Sequence, residues 1–146
     1  MGFDTCAYSE EEMRALAGVE VDAFPLDTLF GTAKAADAGA VAAIRAEAAT
    51  ALAGMDEVDQ EQLDRSLRLR RALDVMRESG GYDAFAIRCW PETFTEYGGA
   101  VCGPAGMLGE ARVPCACEAD VMGALTQLVL MEVAGGQALF AASSLL

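Results

Sequence analysis

The sequence predicts an α/β fold, a three-layer parallel sheet with helices on both faces that is Rossmann-like in its organisation. Two observations support this prediction. Short apolar runs alternate with longer segments of helical periodicity along the chain. Two of the runs end at acidic residues, as buried strands do where they meet a βα loop. The predicted strands are residues 19–24, 84–90, 114–118 and 138–142.

The first half of the chain contains helix boundary signals and one alternating run. Ser9, with Glu12 three residues later, has the pattern of a capping box, and Gly18 is a C-cap. Residues 19–24 alternate between apolar and polar side chains, which is typical of a strand, and Pro25 ends the run. Helices are then predicted over residues 27–36, 38–53 and 59–78.

The second half alternates strands and helices more regularly. Residues 84–90 form an apolar run. A segment rich in small residues follows between Gly98 and Gly106, where we expect a helix packed close to the sheet. Residues 114–118 are the next strand. The helix after it reaches about residue 134 and is apolar on most faces, which suits a buried position.

Composition bounds the class of protein. The 146 residues suffice for one domain, residues 1–146, and a hydrophobic fraction of 53% supplies its core. A net charge of −13 argues against nucleic acid and membrane as partners, because phosphate neutralisation needs basic patches. The start lacks the basic and apolar regions of a signal peptide, so we expect a cytoplasmic protein with reduced cysteines. The chain stops soon after its last predicted strand, and we expect it to be a fragment of a larger multidomain protein.

The acidic residues at the strand ends are the candidates for chemistry. The chain contains no histidine, so a metal site here must use carboxylates, which suit hard ions such as Mg²⁺ or Mn²⁺. Glu92 follows one predicted strand, and Glu118 and Asp120 follow the next. If the strands are neighbours, these carboxylates can hold a divalent ion and move a proton between adjacent carbons. Asp120 has a second interpretation, as the N-cap of the following helix.

Several motifs around these acids resemble the L-fucose/L-arabinose isomerase-like superfamily. They are Arg88-Cys89-Trp90-Pro91-Glu92, Cys102, Cys117-Glu118-Ala119-Asp120-Val121 and Gly123-Ala124-Leu125-Thr126. The opening Gly2-Phe3-Asp4-Thr5-Cys6 also resembles the entry to the middle domain of that family. The resemblance covers nearly the whole chain, and the Cys-Glu-x-Asp block is its most specific part.

The resemblance implies a Mn²⁺-dependent aldose–ketose isomerase that works through an enediol. In that family a Glu and an Asp bind the metal ion and transfer the proton. Asp120 matches the family's Asp, and Glu92 matches its Glu, with Glu96 as the alternative because the length of the intervening loop leaves both open. The substrate would be a small sugar. Three further residues would line the same site: Glu118, Trp90 and Arg88.

The sequence departs from the family in its missing histidine and missing flanking domains. The family's third metal ligand is a histidine from a C-terminal domain, and another α/β domain stands in front. The chain therefore resembles the middle domain alone. We expect the isolated chain to bind Mn²⁺ weakly and to lack useful turnover. We expect the full-length form to be a homo-oligomer, and the residues do not determine which sugar it uses.

Two other functions are open from the residues alone. The first is a non-catalytic sugar-binding or regulatory α/β module, which the absence of histidine favours. The second is a thiol-based metal or redox module built on Cys89, Cys102, Cys115 and Cys117, although cysteines on strands also serve as ordinary packing residues. Trp90 has two interpretations as well: it stacks on a sugar, or it anchors the end of the strand.

Overall fold

Helices dominate the part of the chain that the structure, a computed structural model, describes: residues 6–135. Within this part there are six α-helices, two short strands and one π-helical turn. The helices are α1 (Glu10–Ala17), α2 (Leu26–Lys34), α3 (Ala38–Ala51), α4 (Gln60–Gly80), α5 (Cys102–Glu110) and α6 (Val121–Ala134). The strands are β1 (Phe85–Ala86) and β2 (Cys115–Ala116), and the π-helical turn is Thr93–Tyr97.

The predicted three-layer parallel sheet is wrong. The sheet in residues 6–135 has two strands, β1 and β2, and the rest of this part is mainly helical. The two strands pair in parallel, with Phe85 opposite Cys115 and Ala86 opposite Ala116. Two of the predicted strands are therefore present as neighbours, although each is shorter than its apolar run. The predicted strand over residues 138–142 lies outside the described residues.

Proline and left-handed backbone limit the length of β2. Pro114, directly before the strand, has no N–H to donate to a ladder, although its carbonyl accepts from Phe85 N at 2.8 Å. Beyond the strand, Glu118 and Ala119 have φ values of 62° and 56°, which turn the chain out of extended geometry. An apolar run thus sets which residues are buried, while these backbone features set how many of them pair.

The alternating segment over residues 19–24 is not a strand, so this prediction is also wrong. It has no regular structure, and its apolar side chains are no more than half-buried. Its side chains make tertiary contacts instead of a ladder. Asp22 Oδ2 accepts a hydrogen bond from the Tyr82 hydroxyl at 3.1 Å, and Phe24 packs against the same ring with centroids 5.8 Å apart. Alternation specifies the spacing of side chains, but a strand also needs a partner to pair with.

The predicted helices are confirmed, and local caps set their ends. Ser9 Oγ accepts from Glu12 N at 3.3 Å, and Gly18 ends α1 with a φ of 65°. Asp59 caps α4 by accepting two backbone N–H groups. The helix of small residues, α5, begins later than expected, at Cys102. Among residues 6–135, no helix combines the length and apolarity needed to cross a membrane.

The core lies between α2, α4, α5 and one face of the strand pair. Leu69 and Leu73 of α4 are at its centre, with exposed fractions of 0% and 1%. Phe30 of α2 stacks on Tyr97 with ring centroids 5.1 Å apart. The buried residues of α6 lie outside this cluster, so we infer that α6 covers the other face of the pair: Ala124, Gln127 and Met131.

Gly99 lies where the loop after the π-helical turn touches α4. A Cβ added to Gly99 would stand 2.9 Å from Arg65 Cβ and 3.3 Å from Ser66 N. The next amide, Ala100 N, donates to Ser66 Oγ at 3.1 Å, which holds the loop on the helix. Gly99→Ala should therefore lower the free energy of unfolding by about 1–3 kcal/mol through overpacking, as measured by urea denaturation.

Gly106→Ala is the matched control for this prediction. Nothing lies within 4 Å of a Cβ added to Gly106, which is inside α5. Alanine there should leave stability unchanged or raise it by about 0.5–1 kcal/mol, because glycine is a poor helix former. If both substitutions shift the urea midpoint equally, the close contact between Gly99 and α4 is not the reason that a side chain at position 99 is destabilising.

Candidate functional site

The loops that follow β1 and β2 meet at one edge of the sheet. The two strands are adjacent and parallel, so their carboxyl ends point the same way. Ala119 N donates to the Ile87 carbonyl at 3.0 Å, which ties the loops together directly after the strands. The structure thus brings to one edge the loops that carry the predicted acids, Glu92 on one side and Glu118 and Asp120 on the other.

Glu92 is held by a neighbouring cation and keeps one oxygen free. Arg88 Nη2 lies 2.5 Å from Glu92 Oε1. The other oxygen, Oε2, is buried and has no hydrogen-bond partner among the described residues. The Thr93 hydroxyl and amide both donate to the Cys89 carbonyl, at 2.5 and 3.3 Å, which fixes the turn that carries Glu92. A buried oxygen without a partner costs free energy, so Oε2 is a candidate for ligand contact.

Glu118 is the second acid with a free buried oxygen. Cys89 Sγ donates to Glu118 Oε1 at 3.4 Å, while Oε2 is buried and makes no hydrogen bond within residues 6–135. Glu118 and Ala119 are consecutive left-handed residues, a conformation that costs roughly 1–3 kcal/mol for each residue other than glycine. Strained backbone of this kind clusters at functional sites, which supports a role for this loop.

Asp120 caps α6. Its Oδ1 accepts from Gly123 N at 2.7 Å, which confirms the N-cap interpretation. Its Oδ2 makes no hydrogen bond to another described residue. The functional interpretation of Asp120 therefore stays a prediction that the cap does not contradict, because a carboxylate has a second oxygen to offer.

Two substitutions of Asp120 distinguish its structural role as an N-cap from a role in catalysis. Asp120→Ala should lower the free energy of unfolding by about 0.5–2 kcal/mol, because α6 loses its N-cap. Asp120→Asn should change stability little, because asparagine caps as well as aspartate does. Urea denaturation of both variants measures this difference. Equal losses would contradict the cap, whereas a stable Asn variant makes any loss of activity a chemical effect.

A groove of about 1070 Å³ opens beside β1. Residues 84–88 line it together with the irregular segment 19–24, which lies across from them through the contacts with Tyr82. Three of the predicted site residues line the groove: Arg88, Glu92 and Glu96. A space of this size accommodates a small sugar, and these three side chains line it together.

The other predicted site residues lie beside the groove rather than in its lining: Trp90, Glu118 and Asp120. Trp90 is 56% exposed and packs on Phe94, with ring centroids 5.5 Å apart. Its stacking on a sugar stays a prediction. The contact between Cys89 and Glu118 could not be predicted from the sequence, since no local signal connects the two residues. The spacing of Arg88 and Glu92, four residues apart, is a signal that could have predicted their ion pair.

The free carboxylate oxygens are suitable ligands for a hard divalent cation. There are too few of them to form a complete coordination site. Glu92 Oε2 and Glu118 Oε2 are the kind of donor that Mn²⁺ and Mg²⁺ bind. Within the described residues, no three His, Cys, Asp or Glu side chains form a group that could hold an ion. The acids at this edge would therefore supply part of a coordination sphere.

Burial raises the thiol pKa of three of the four cysteines in the proposed thiol module: Cys89, Cys115 and Cys117. Cys89 and Cys115 are buried. Burial raises the pKa of Cys115 to about 12, and burial together with the nearby Cys89 raises the pKa of Cys117 to about 12. The thiolate is the form that binds metals and reacts, and such thiols stay protonated at neutral pH. These observations favour packing over the thiol-based metal or redox module.

Several proteins that are similar to this chain are named sulfoquinovose isomerase. A sulfoquinovose isomerase of Clostridium sp. (strain MSTE9) is 35% identical over 91 residues, which are 62% of this chain and 20% of that protein. A sulfoquinovose isomerase of Priestia aryabhattai is 28% identical over 138 residues, 94% of this chain and 30% of that protein. One of Alkalicoccus urumqiensis is 44% identical over 74 residues, 49% of this chain and 17% of that protein.

The chain spans less than a third of the length of these relatives. No family model and no solved structure matches it. The similarity supports a relationship to carbohydrate isomerases. The narrower resemblance to the L-fucose/L-arabinose isomerase-like superfamily stays a prediction.

Proposed function

We propose that this chain is the acid-bearing domain of an aldose–ketose isomerase that acts on sulfoquinovose or a closely similar aldose. One combination of observations supports the proposal. Relatives named sulfoquinovose isomerase align with up to 94% of the chain, and the chain carries buried, unpartnered carboxylate oxygens beside one sheet edge. Isomerisation of an aldose moves a proton between the carbonyl carbon and its neighbour, a transfer that carboxylates can perform.

Glu92 is suited to the proton transfer from carbon. One carboxylate must remove the proton from the carbon next to the aldehyde and return it to the former carbonyl carbon of the enediol. Arg88 holds Glu92 Oε1, so Oε2 is left to take and give back this proton. Asp120 Oδ2 is suited to the accompanying proton exchange between the two oxygens, while Oδ1 stays on the helix cap. Glu96 lines the same groove and is the alternative to Glu92.

We also propose that the intact enzyme uses Mn²⁺ at this edge. When bound, such an ion acts as a Lewis acid on substrate oxygens. Glu92 and Asp120 would supply carboxylate donors, as the resemblance implies, with Glu118 lining the same site, and the other donors would come from substrate, water or residues outside the described part. The incomplete set in residues 6–135 leads us to expect weak Mn²⁺ binding and no useful turnover by the isolated chain.

Ketose formation is the test of this proposal. The 146-residue chain and a full-length protein that contains it are assayed with Mn²⁺ on sulfoquinovose, L-fucose, D-arabinose and L-arabinose. We expect the full-length protein to convert sulfoquinovose and the isolated chain to be inactive. A full-length protein that converts none of these sugars would contradict the isomerase proposal. Robust turnover by the isolated chain would contradict the incomplete site.

A further inference from the structure

We propose that Arg88 binds the sulfonate group of the substrate and thereby sets the preference for a sulfonated over an uncharged sugar. This inference rests on the proposed function, from which it takes the chemistry of the substrate. A sulfonate is the anion of a strong acid, so it stays ionised at neutral pH and must be recognised as a charge.

The groove beside β1 is strongly acidic and needs a cation to admit such a substrate. Six of its described lining residues are acidic: Glu20, Asp22, Asp27, Asp83, Glu92 and Glu96. Two are basic: Arg14 and Arg88. A lining of this charge repels an anionic sugar, because walls of one sign focus their field into the space between them. A sulfonated substrate must therefore meet one of the two arginines.

Arg88 is the arginine that lies beside the proposed chemistry. It pairs with Glu92, the acid assigned to proton transfer, whereas Arg14 lies on α1 and forms no ion pair with another described residue. The Arg88 side chain is 52% exposed even while paired. A substrate whose reacting carbons face Glu92 would place its far, sulfonated end within reach of a flanking cation in the same groove.

The guanidinium of Arg88 has N–H donors that make no hydrogen bond to another described residue. Its Nη2 is engaged by Glu92 Oε1, and its Nε and Nη1 make no hydrogen bond to another described residue. Arginine presents five N–H donors in a planar fork, so the unused ones can donate to two sulfonate oxygens together. The pair with Glu92 also restrains the side chain before the ligand arrives, which lowers the entropy cost of binding.

Binding of sulfoquinovose to the ¹⁵N-labelled 146-residue chain, followed through amide chemical shifts, tests this inference without turnover. Arg88→Gln should weaken Kd about 10- to 100-fold, because a charge-assisted pair is lost. Arg88→Lys keeps the charge without the fork and should give an intermediate Kd. Arg77→Gln is the matched control: it removes the same charge from an exposed position on α4 outside the groove and should change Kd by about twofold or less, because solvent screens it.

Glucose, which carries no sulfonate, supplies the second readout. The ratio of the two dissociation constants should favour sulfoquinovose in the wild-type chain and fall towards one in Arg88→Gln. Four results would each overturn the proposal: no shifts with sulfoquinovose, unchanged sulfoquinovose binding in Arg88→Gln, equal losses for both sugars, or a larger loss in Arg14→Gln. A failure of the isomerase proposal gives a different result from a failure of the Arg88 proposal. In that case sulfoquinovose binding would still depend on Arg88, but the full-length protein would form no ketose.

Discussion

Glu92→Gln in a full-length isomerase that contains this domain should lower kcat by a factor of about 10² to 10⁴, the usual contribution of a positioned general base. The amide has the shape of the carboxylate, but it cannot accept the proton or supply negative charge to a metal ion. The same change should alter little in the isolated chain, which we expect to lack useful turnover. The rate of ketose formation at saturating sulfoquinovose measures the effect.

Two further substitutions sharpen this prediction. Glu78→Gln is the matched control, because Glu78 is on α4 with a side chain that is 67% exposed and lies outside the groove. Its kcat should match that of the wild type. Glu96→Gln tests the alternative assignment of the acid. An active Glu92→Gln variant beside an inactive Glu96→Gln variant would transfer the role to Glu96.

Leu69→Ala should lower the free energy of unfolding by about 2–5 kcal/mol, the range for a leucine removed from a packed core. Leu69 is fully buried on α4, in the cluster that joins α2, α5 and the strand pair. A domain of this size is stable by roughly 5–15 kcal/mol, so the loss is a large fraction of the total. Urea denaturation measures this difference in the free energy of unfolding, with the same dependence on urea concentration (m-value) used for both variants.

Leu16→Ala is the control for the core substitution. Leu16 is on α1 and 86% exposed, so its truncation removes almost no buried area. Its effect should stay within about 0.5 kcal/mol. Similar losses for Leu16 and Leu69 would mean that the cluster around α4 is not the core that holds the fold together.

The helices could be predicted because their signals are local. Ser9 and Asp59 accept hydrogen bonds from N–H groups two or three residues later, and Gly18 ends its helix through its own φ. Each of these signals is complete within one turn of the chain. The strands were harder to predict, because pairing depends on distant residues. The segment 19–24 alternates as a strand does but has no strand partner in the described part, and it contacts Tyr82 instead.

The candidate site shows the same division between local and distant information. The rule that ligands bind at strand ends located the loops of Glu92, Glu118 and Asp120, and the structure brings those loops together. The groove itself could not be predicted, since its second wall comes from residues 19–24 on the far side of Tyr82. The free oxygens of Glu92 and Glu118 could not be predicted either, because the burial of a single atom depends on how the folded chain packs around it.

Proton transfer through an enediol has a direct signature in D₂O. A full-length protein that contains this domain is incubated with sulfoquinovose and Mn²⁺ in D₂O, and the sugars are followed by proton NMR. The proposed function predicts a ketose that carries solvent deuterium at the former carbonyl carbon, and loss of both product and deuterium in the Glu92→Gln and Glu96→Gln double variant. Aldose signals that stay unchanged with the wild-type protein, or undiminished conversion by the double variant, would contradict it.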